Sequence, residues 1–441
     1  MSVRRTVRWN DGRGVRGARW RAATGAALGL LVLAGAACSS TQSNVAPAHA
    51  GTSPIPASAF HDHTGLTSST VRVGNVSSLV GGLFKGAPVG AQAYAAYVNS
   101  NGGVFGRKIV VDSGNDQFAG APNKQLTEQD VQNDFAMVGS FSLQDNFGGT
   151  VLAQNPGVPN VTVNLDSATA ALPNSFSPNP TPDGWALGPL TYYQHKFPSI
   201  VHDTGALIAD QPSAEGKWSA EHSAMLHLGY RVVYDPTFDI STTDFTQYVV
   251  QMRNAGVKIL FLEQMPYNYA GAVFKALNAQ GFHPVVVLGG STYSNQLVPS
   301  AGGAPAIDGS YFEQGNALYL GEDASSLPSV RLFQNWVQTV SPGFAPDLYT
   351  LYGWLSAELF VQALRAAGPN PSRGSVLQAL GRITSFTGGN LSGPANPAKK
   401  IPSACYLIGR VEGGKIQRLD DPPIDGPTHG YRCDQPFYYV H

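Results

Sequence analysis

With 441 residues the chain is too long for one ordinary hydrophobic core, so two domains are expected. Its 43% hydrophobic and 13% charged content is that of a globular protein. The formal net charge is −1, and no stripe of clustered Lys and Arg follows the first 37 residues, which excludes a nucleic-acid partner held by its phosphates.

Residues 1–37 carry seven Arg, no Lys and one acid, Asp11, followed by the apolar run Gly25 to Ala37. That pattern is a secretory signal, too short for a spanning helix. Its removal leaves 21 basic against 28 acidic groups, a net charge of −7 and a mildly acidic surface. Gly35-Ala36-Ala37 before Cys38 resembles the lipobox of bacterial lipoproteins, in which the cysteine is lipidated; Gly35 stands where that family prefers Leu. The alternative is cleavage at an Ala-x-Ala site, leaving Cys38 a plain thiol. Residues 38–69 are rich in Ser, Thr, Ala and Pro without apolar period and are expected to form a flexible tether. His61 and His63 within it lack the further ligands that a metal site needs. Cys405 and Cys433, outside the cytoplasm, are predicted to pair, since no further Cys or His except His429 lies at metal-ligand spacing.

From Val71 apolar strands and helices alternate, the sign of parallel α/β architecture. Strands are predicted at Val71 to Val76, ending in Ser77-Ser78, at Ile109 to Asp112, Phe135 to Val138 and Pro159 to Val163. Helices are predicted at Pro122 to Asn133, at Leu143 to Asn155 and from Thr181-Pro182-Asp183 onward. The alternation begins again at Gly205 to Ala209, with further strands at Arg231 to Tyr234, Ile259 to Leu262 and Pro284 to Leu288. The helix from Asp244 to Asn254 ends at Gly256. Two later helices are expected, Glu322 to Val340 and Leu348 to Ala367. The Gly- and Pro-rich tail from Phe386 reads as short strands and loops.

The phrase Val98-Asn-Ser-Asn-Gly-Gly-Val-Phe-Gly-Arg-Lys-Ile109 resembles the Asn-x-x-Gly-Gly-x-x-Gly-Arg-x-Ile signature of type I periplasmic substrate-binding proteins, the branched-chain amino-acid-binding family. Asp112-Ser-Gly-Asn-Asp-Gln117, Val138-Gly-Ser140, Asp244-Phe245 and Ala255-Gly256 follow in the family's order. The resemblance spans about residues 70–400. It implies two Rossmann-like lobes with parallel sheets joined by a three-segment hinge, closing on ligand like a clamshell. The lobes are expected at 70–203 plus about 317–385, and at 204–316 plus about 386–441.

In that family the turn after the third strand holds the ligand carboxylate. The matching positions are Ser140, Phe141 and Ser142, although Ser142 could equally cap the following helix, with Asp145 completing a capping box. Asp145, an acid in the first turn, competes for the positive potential a carboxylate would use and could instead receive an ammonium. Thr162-Val-Asn-Leu-Asp166 departs from the family's Ser-x-x-Ala-Thr-like segment, placing bulkier Asn164 and Asp166 at the opening. Ser78, Ser213, Glu263, Tyr267 and Tyr293 also stand at strand ends, where α/β sheets collect ligands. Glu263 could neutralise an ammonium; Tyr267 or Tyr293 could stack on the ligand. Trp185 and Trp218 are assigned to core packing.

No Gly-x-Ser-x-Gly elbow, His-Glu-x-x-His helix or phosphate loop occurs, and His222 and His227 do not share a helical face, so an enzyme, a metal and a cofactor are not expected. The leading reading is a lipid-anchored, monomeric receptor on the outer face of the cell membrane, delivering a small polar solute, an amino acid or related compound, to an ABC permease. Its alternatives are a ligand sensor docking on a signalling receptor and an exported α/β hydrolase.

Overall fold

The computed structural model describes residues 54–440. The first lobe opens with β1 (Thr70–Ser77), α1 (Gly86–Ser100), β2 (Lys108–Asn115), α2 (Gly120–Asn133), β3 (Ala136–Val138), α3 (Asp145–Gln154), β4 (Asn160–Val161), α4 (Ser167–Ala171) and β5 (Ser175–Phe176). Its five strands are all parallel, in the order β2-β1-β3-β4-β5. Short β3 and β4 are wholly buried, because helices cover both faces of a parallel sheet.

Residues 177–183 cross to the second lobe. It contains β6 (Gly184–Ala186), α5 (Leu187–Lys196), β7 (Thr204–Ala206), β8 (Ile208–Ala209), α6 (Pro212–His227), β9 (Val232–Tyr234), β10 (Thr237–Phe238), α7 (Thr246–Ala255), β11 (Ile259–Phe261), α8 (Tyr267–Ala279), β12 (Val285–Leu288), α9 (Leu297–Ala301), α10 (Ala304–Ile307) and β13 (Tyr311–Gln314). The chain then returns for α11 (Pro328–Val340), α12 (Leu348–Ala366) and α13 (Arg373–Leu380), and crosses a third time to β14 (Leu407–Glu412), β15 (Lys415–Arg418) and β16 (Phe437–Tyr439). The second sheet has seven strands, β15-β14-β13-β12-β11-β7-β9, in which only β14 runs against the rest, so that its pairings with β13 and β15 are the antiparallel ones.

Three expectations need correction. The segment after Thr181 forms strand β6, paired with β16, before any helix begins. Leu190 and Tyr193 of α5 pack with Ile259, Phe261 and Tyr311 of the second sheet, so the first crossing falls before α5 rather than at 203. The third crossing falls later than 386: Phe386 pairs with Ala395, and Lys400 Nζ donates to the carbonyls of Ala170 and Leu172, 2.8 Å each, on the first lobe.

The described part of the expected tether is also built into the fold. Ala57–His61 forms a 3-10 turn against α13, with Ala59 buried. Asp62 Oδ2 accepts from Arg373 at 2.8 Å, and Arg373 donates onward to the carbonyls of Val131 (2.7 Å) and Phe135 (3.2 Å). No apolar period announces this, because the attachment is made largely of polar contacts, including the Asp62–Arg373 ion pair, the hydrogen bond between His63 Nδ1 and the Pro371 carbonyl at 2.9 Å and the Arg373 N bond to the Asp62 carbonyl at 2.9 Å, with a close approach to Gly374. Cys38 and the signal lie outside the described residues.

Helices α1 and α12 pack backbone against backbone. A Cβ on Gly353 would lie 2.0 Å from the Ala87 carbonyl oxygen, and one on Gly90 1.9 Å from that of Thr350, so only glycine permits the contact. A capping box starts α12: Asp347 Oδ1 accepts from Thr350 N at 2.8 Å, and Thr350 Oγ1 accepts from Asp347 N at 3.1 Å. Together these fix where the first turn of α12 points.

Cys405 and Cys433 are joined, tying the tail back to β14. The second crossing is clamped to the second lobe by Arg418, which donates to both oxygens of Asp323 at 2.9 and 2.7 Å.

Candidate functional site

The carboxyl ends of the two parallel sheets face a cleft of about 600 Å³. On the first lobe the chain leaves β1, β2 and β3 through Phe84, Phe118 and Phe141, and the N-terminal two turns of α12 add Tyr349 and Tyr352. These rings form one surface: Phe84 lies 4.6 Å from Tyr349 and 4.9 Å from Phe141, and Phe141 lies 4.8 Å from Tyr349, all tilted or edge-on. Such edge packing suits aromatic quadrupoles. Leu143, Val163 and Leu165 extend it.

The second lobe contributes Trp185, Ile240, Met265 and Tyr269 as apolar surface. Its polar groups are Gln211, Ser213, Lys217, Glu263, Gln264, Glu313 and Gln314. Burial holds the Lys217 amine below the ordinary lysine range, opposed by the charge of Asp183. Burial pushes Glu221, behind the wall, up to about 8, and raises Glu263 and Glu313 well above the carboxylate range, with the charge of Glu221 adding to both effects.

The structure separates the residues picked out at strand ends into two groups. Phe141, Ser213 and Glu263 line the cleft. Ser140, Ser142, Asn164, Asp166, Ser78, Tyr267 and Tyr293 do not, and this corrects the expectation that all of them meet at the opening. The Ser140 hydroxyl accepts from Val76 N at 3.0 Å within the sheet. Ser142 is 3% exposed; its hydroxyl donates to Asp116 and accepts from Asn123 (3.1 Å) and Gln144 N (2.9 Å). Ser78 is wholly buried and donates to Ser142 at 3.2 Å. Asn164 accepts from Thr162 at 2.9 Å. Asp166 caps α4 through Thr169 N at 2.8 Å.

Ser140, Ser142 and Asn164 surround instead a separate cavity of about 30 Å³ inside the first lobe. Asp145 lies there too, its carboxylate accepting from Leu165 N (2.6 Å) and Asp166 N (3.1 Å); burial pushes it up to about 6. It holds the β4–α4 loop, not a ligand. Tyr293, 3% exposed, donates to Glu322 at 2.5 Å and accepts from Leu320 N at 3.3 Å, bracing the second crossing. Tyr267 begins α8 outside the cleft lining. Trp218 is core, as expected, with its Nε1 donating to Asp235 at 3.1 Å, whereas Trp185 lines the cleft.

Sequence reading passed over the aromatic wall. Phe84 and Phe118 sit in irregular turns, and Tyr349 and Tyr352 look like members of an amphipathic helix; the available signal was the clustering of aromatics immediately after strand ends. No group of three or more metal-ligating side chains is found among the described residues.

The family described as periplasmic binding protein matches residues 70–415. The Leu/Ile/Val-binding protein homolog 1 of Brucella suis biovar 1 is 25% identical over 339 residues, covering 74% of this chain and 85% of that protein. Among solved structures, a fatty acid ABC transporter substrate-binding protein from Thermomonospora curvata superposes with a TM-score of 0.68 at 17% identity, covering 86% of this chain and 95% of the other. A branched-chain amino acid ABC transporter protein from Thermus thermophilus with bound valine gives 0.67 at 16% identity, covering 80% and 96%.

Proposed function

Because the chain belongs to the periplasmic binding protein family, among the substrate-binding proteins of branched-chain amino-acid-type ABC transporters, we propose that it is an extracytoplasmic receptor that captures a small solute with a largely apolar body and delivers it to an ABC importer. The observation that carries the ligand class is the cleft wall of Phe84, Phe118, Phe141, Tyr349 and Tyr352. A cleft of about 600 Å³ is ample for a drug-sized solute. Burying such a body against preformed rings gains about 25 cal/mol per Å² of apolar surface without further ordering of the wall. Function here is capture and release; the family's members bind solutes and are not enzymes.

An amino acid is the second reading, favoured by the binding named for the Brucella relative and by the valine in the Thermus structure. Against it, the hydroxyls of Ser140 and Ser142 are already committed to protein partners. Lipidation at Cys38 belongs to the same proposal, and Cys38→Ala is expected to release the protein from the membrane fraction. Permease and ATPase genes beside its own would favour import over a sensor role.

A thermal-shift panel of amino acids, alkyl and aryl acids, amines and alcohols tests the ligand class. A ligand at 100 times its Kd adds about 2.7 kcal/mol of stability. Stabilisation by apolar-bodied compounds, lost in Tyr349→Ala, is expected. Stabilisation by small polar solutes alone, unaffected by that substitution, would overturn the reading.

A further inference from the structure

One side chain in the cleft carries a charge that nothing in the protein answers. Lys217, in the second turn of α6, is the only Lys, Arg or His among the described residues that line the cleft. Among the described residues it makes no ion pair. The one acid whose charge reaches it, Asp183, is exposed and outside the cleft lining. A surface lysine lays its stem on apolar groups and keeps its head in water. Here burial holds the amine below the ordinary lysine range, so the head is withdrawn from open water.

The acids beside the same cleft do not supply the missing negative charge. Glu221 of α6, Glu263 after β11 and Glu313 of β13 hydrogen-bond among themselves, with Glu263 in the middle. A bond between two carboxyl groups needs a proton on one of them, and burial raises all three enough to keep them protonated at neutral pH. The described lining therefore presents one cation and no anion.

The start of α6 adds to that cation. Pro212, at the first helical position, has no N–H, so the first orphan amides of the helix are those of Ser213 and Ala214. Both residues line the cleft, and neither amide has a backbone acceptor. The cap residue Gln211 makes no side-chain bond to the helix. Ser213 and Lys217 stand four positions apart and so share one helical face, which brings a hydroxyl, the positive end of the helix and the amine to one part of the lining. Glu215, the acid of the same turn, is exposed and outside it. The first lobe offers nothing comparable: it lines the cleft without a basic side chain, and the Ser140 and Ser142 hydroxyls are committed to protein partners.

We propose that Lys217 and the opening turn of α6 form the seat for the carboxylate of an apolar-bodied acid, whose alkyl or aryl body lies on the aromatic wall of the first lobe. This rests on the apolar-cleft reading above and names its ligand's charge. The carboxylate accepts from the Lys217 ammonium and from the donors of the opening turn, and its arrival favours the charged form of the amine that burial disfavours. One ligand thus bridges the lobes, its head on the second and its body on the first.

Calorimetry of the purified receptor with 3-phenylpropionate, 3-phenylpropanamide and 3-phenylpropylamine at pH 7 reads the head group alone, since the three share one body. The acid is expected to bind at least about tenfold more tightly than the amide, and the amine more weakly than either, because like charge meets a desolvated lysine. Lys217→Met keeps the packing of the stem. It is expected to weaken the acid by about tenfold or more and to leave the amide within about twofold, so that the acid loses its advantage. Lys217→Arg is expected to retain part of that advantage, and with the wild-type ranking it carries the test if Lys217→Met does not fold. Equal binding of acid and amide, preference for the amine, or an acid advantage that survives Lys217→Met overturns the anion seat and leaves the apolar cleft standing. Short- to medium-chain alkanoates and the matching alcohols extend the test to other bodies. Alcohols that bind where no acid does also overturn the seat; small polar solutes that bind where no acid, amide, amine or alcohol does overturn both readings.

Discussion

The ring of Phe141, at the turn after β3, lies 4.8 Å from that of Tyr349, in the first turn of α12. Two residues far apart in the chain thus make one face of the cleft, and their contact depends on the glycine-mediated approach of α1 to α12 and on the Asp347 capping box. The ligand-facing surface of this protein is a product of helix packing as much as of strand ends.

Ser140→Ala separates the roles of strand end and aromatic wall. Its hydroxyl supports Val76 N inside the sheet, so the substitution should cost about 1 kcal/mol of stability, the usual net loss of one hydrogen bond. Ligand affinity should change less than about twofold, whereas Phe141→Ala should weaken binding by tenfold or more, as loss of a buried aromatic anchor does. Denaturant titration and calorimetry on both variants check the contrast.

Gly353→Ala should destabilise the protein by about 2 kcal/mol or more, because the added methyl group meets the Ala87 carbonyl in a packed core. Forcing α1 and α12 apart should also disturb Tyr349 and lower affinity. A melting temperature equal to wild type would show that the close approach is not maintained in solution.

Arg373 is nearly buried and serves Asp62, Val131 and Phe135 together. Arg373→Ala should cost about 3 kcal/mol or more, since it strands buried acceptors. Asp62→Ala, whose partner retains its backbone acceptors, should cost less. Limited proteolysis should then cut near residue 60 in both variants.

Glu221 gives stability a definite pH dependence. Burial raises it from 4.5 to about 8, so between those values the folded protein binds more protons than the unfolded chain. Stability from this group is therefore full at low pH and falls as pH rises from about 4.5 through 8. Glu221→Gln should flatten the decline in melting temperature from pH 5 to pH 8, and a steeper decline would contradict the burial of the acid.

The loop closed by Cys405 and Cys433 spans 28 positions, and Cys405 itself lines the cleft. Cys433→Ser should lower stability by about 3 kcal/mol through the freed unfolded chain. Reduction of the wild-type protein should reproduce the loss in a thermal scan.

Much of the architecture was legible because it rests on local rules. Buried parallel strands read as short apolar runs such as Phe135 to Val138, and Gly256 ends α7 in the left-handed conformation that glycine adopts freely (φ 78°). The Asn99 to Ile109 phrase likewise encodes a local device: Asn99 bonds Ile109 through both its side-chain amide and carbonyl, 2.8 Å each. Boundaries between lobes were less legible, since α5 looks like any helix until Leu190 and Tyr193 meet the second sheet.

The site divides along the same line. By itself the sequence determined that hydroxyls and acids would stand at strand ends, because the α/β alternation puts them there. Only the tertiary structure decided which faced the ligand. A serine hydroxyl can satisfy a neighbouring backbone N–H or a solute equally well, and at Ser140 and Ser142 the protein supplies the partner first. The aromatic wall and the Glu221–Glu263–Glu313 cluster each draw on segments hundreds of residues apart or on separate helices and strands, where packing, and not spacing, sets who meets whom.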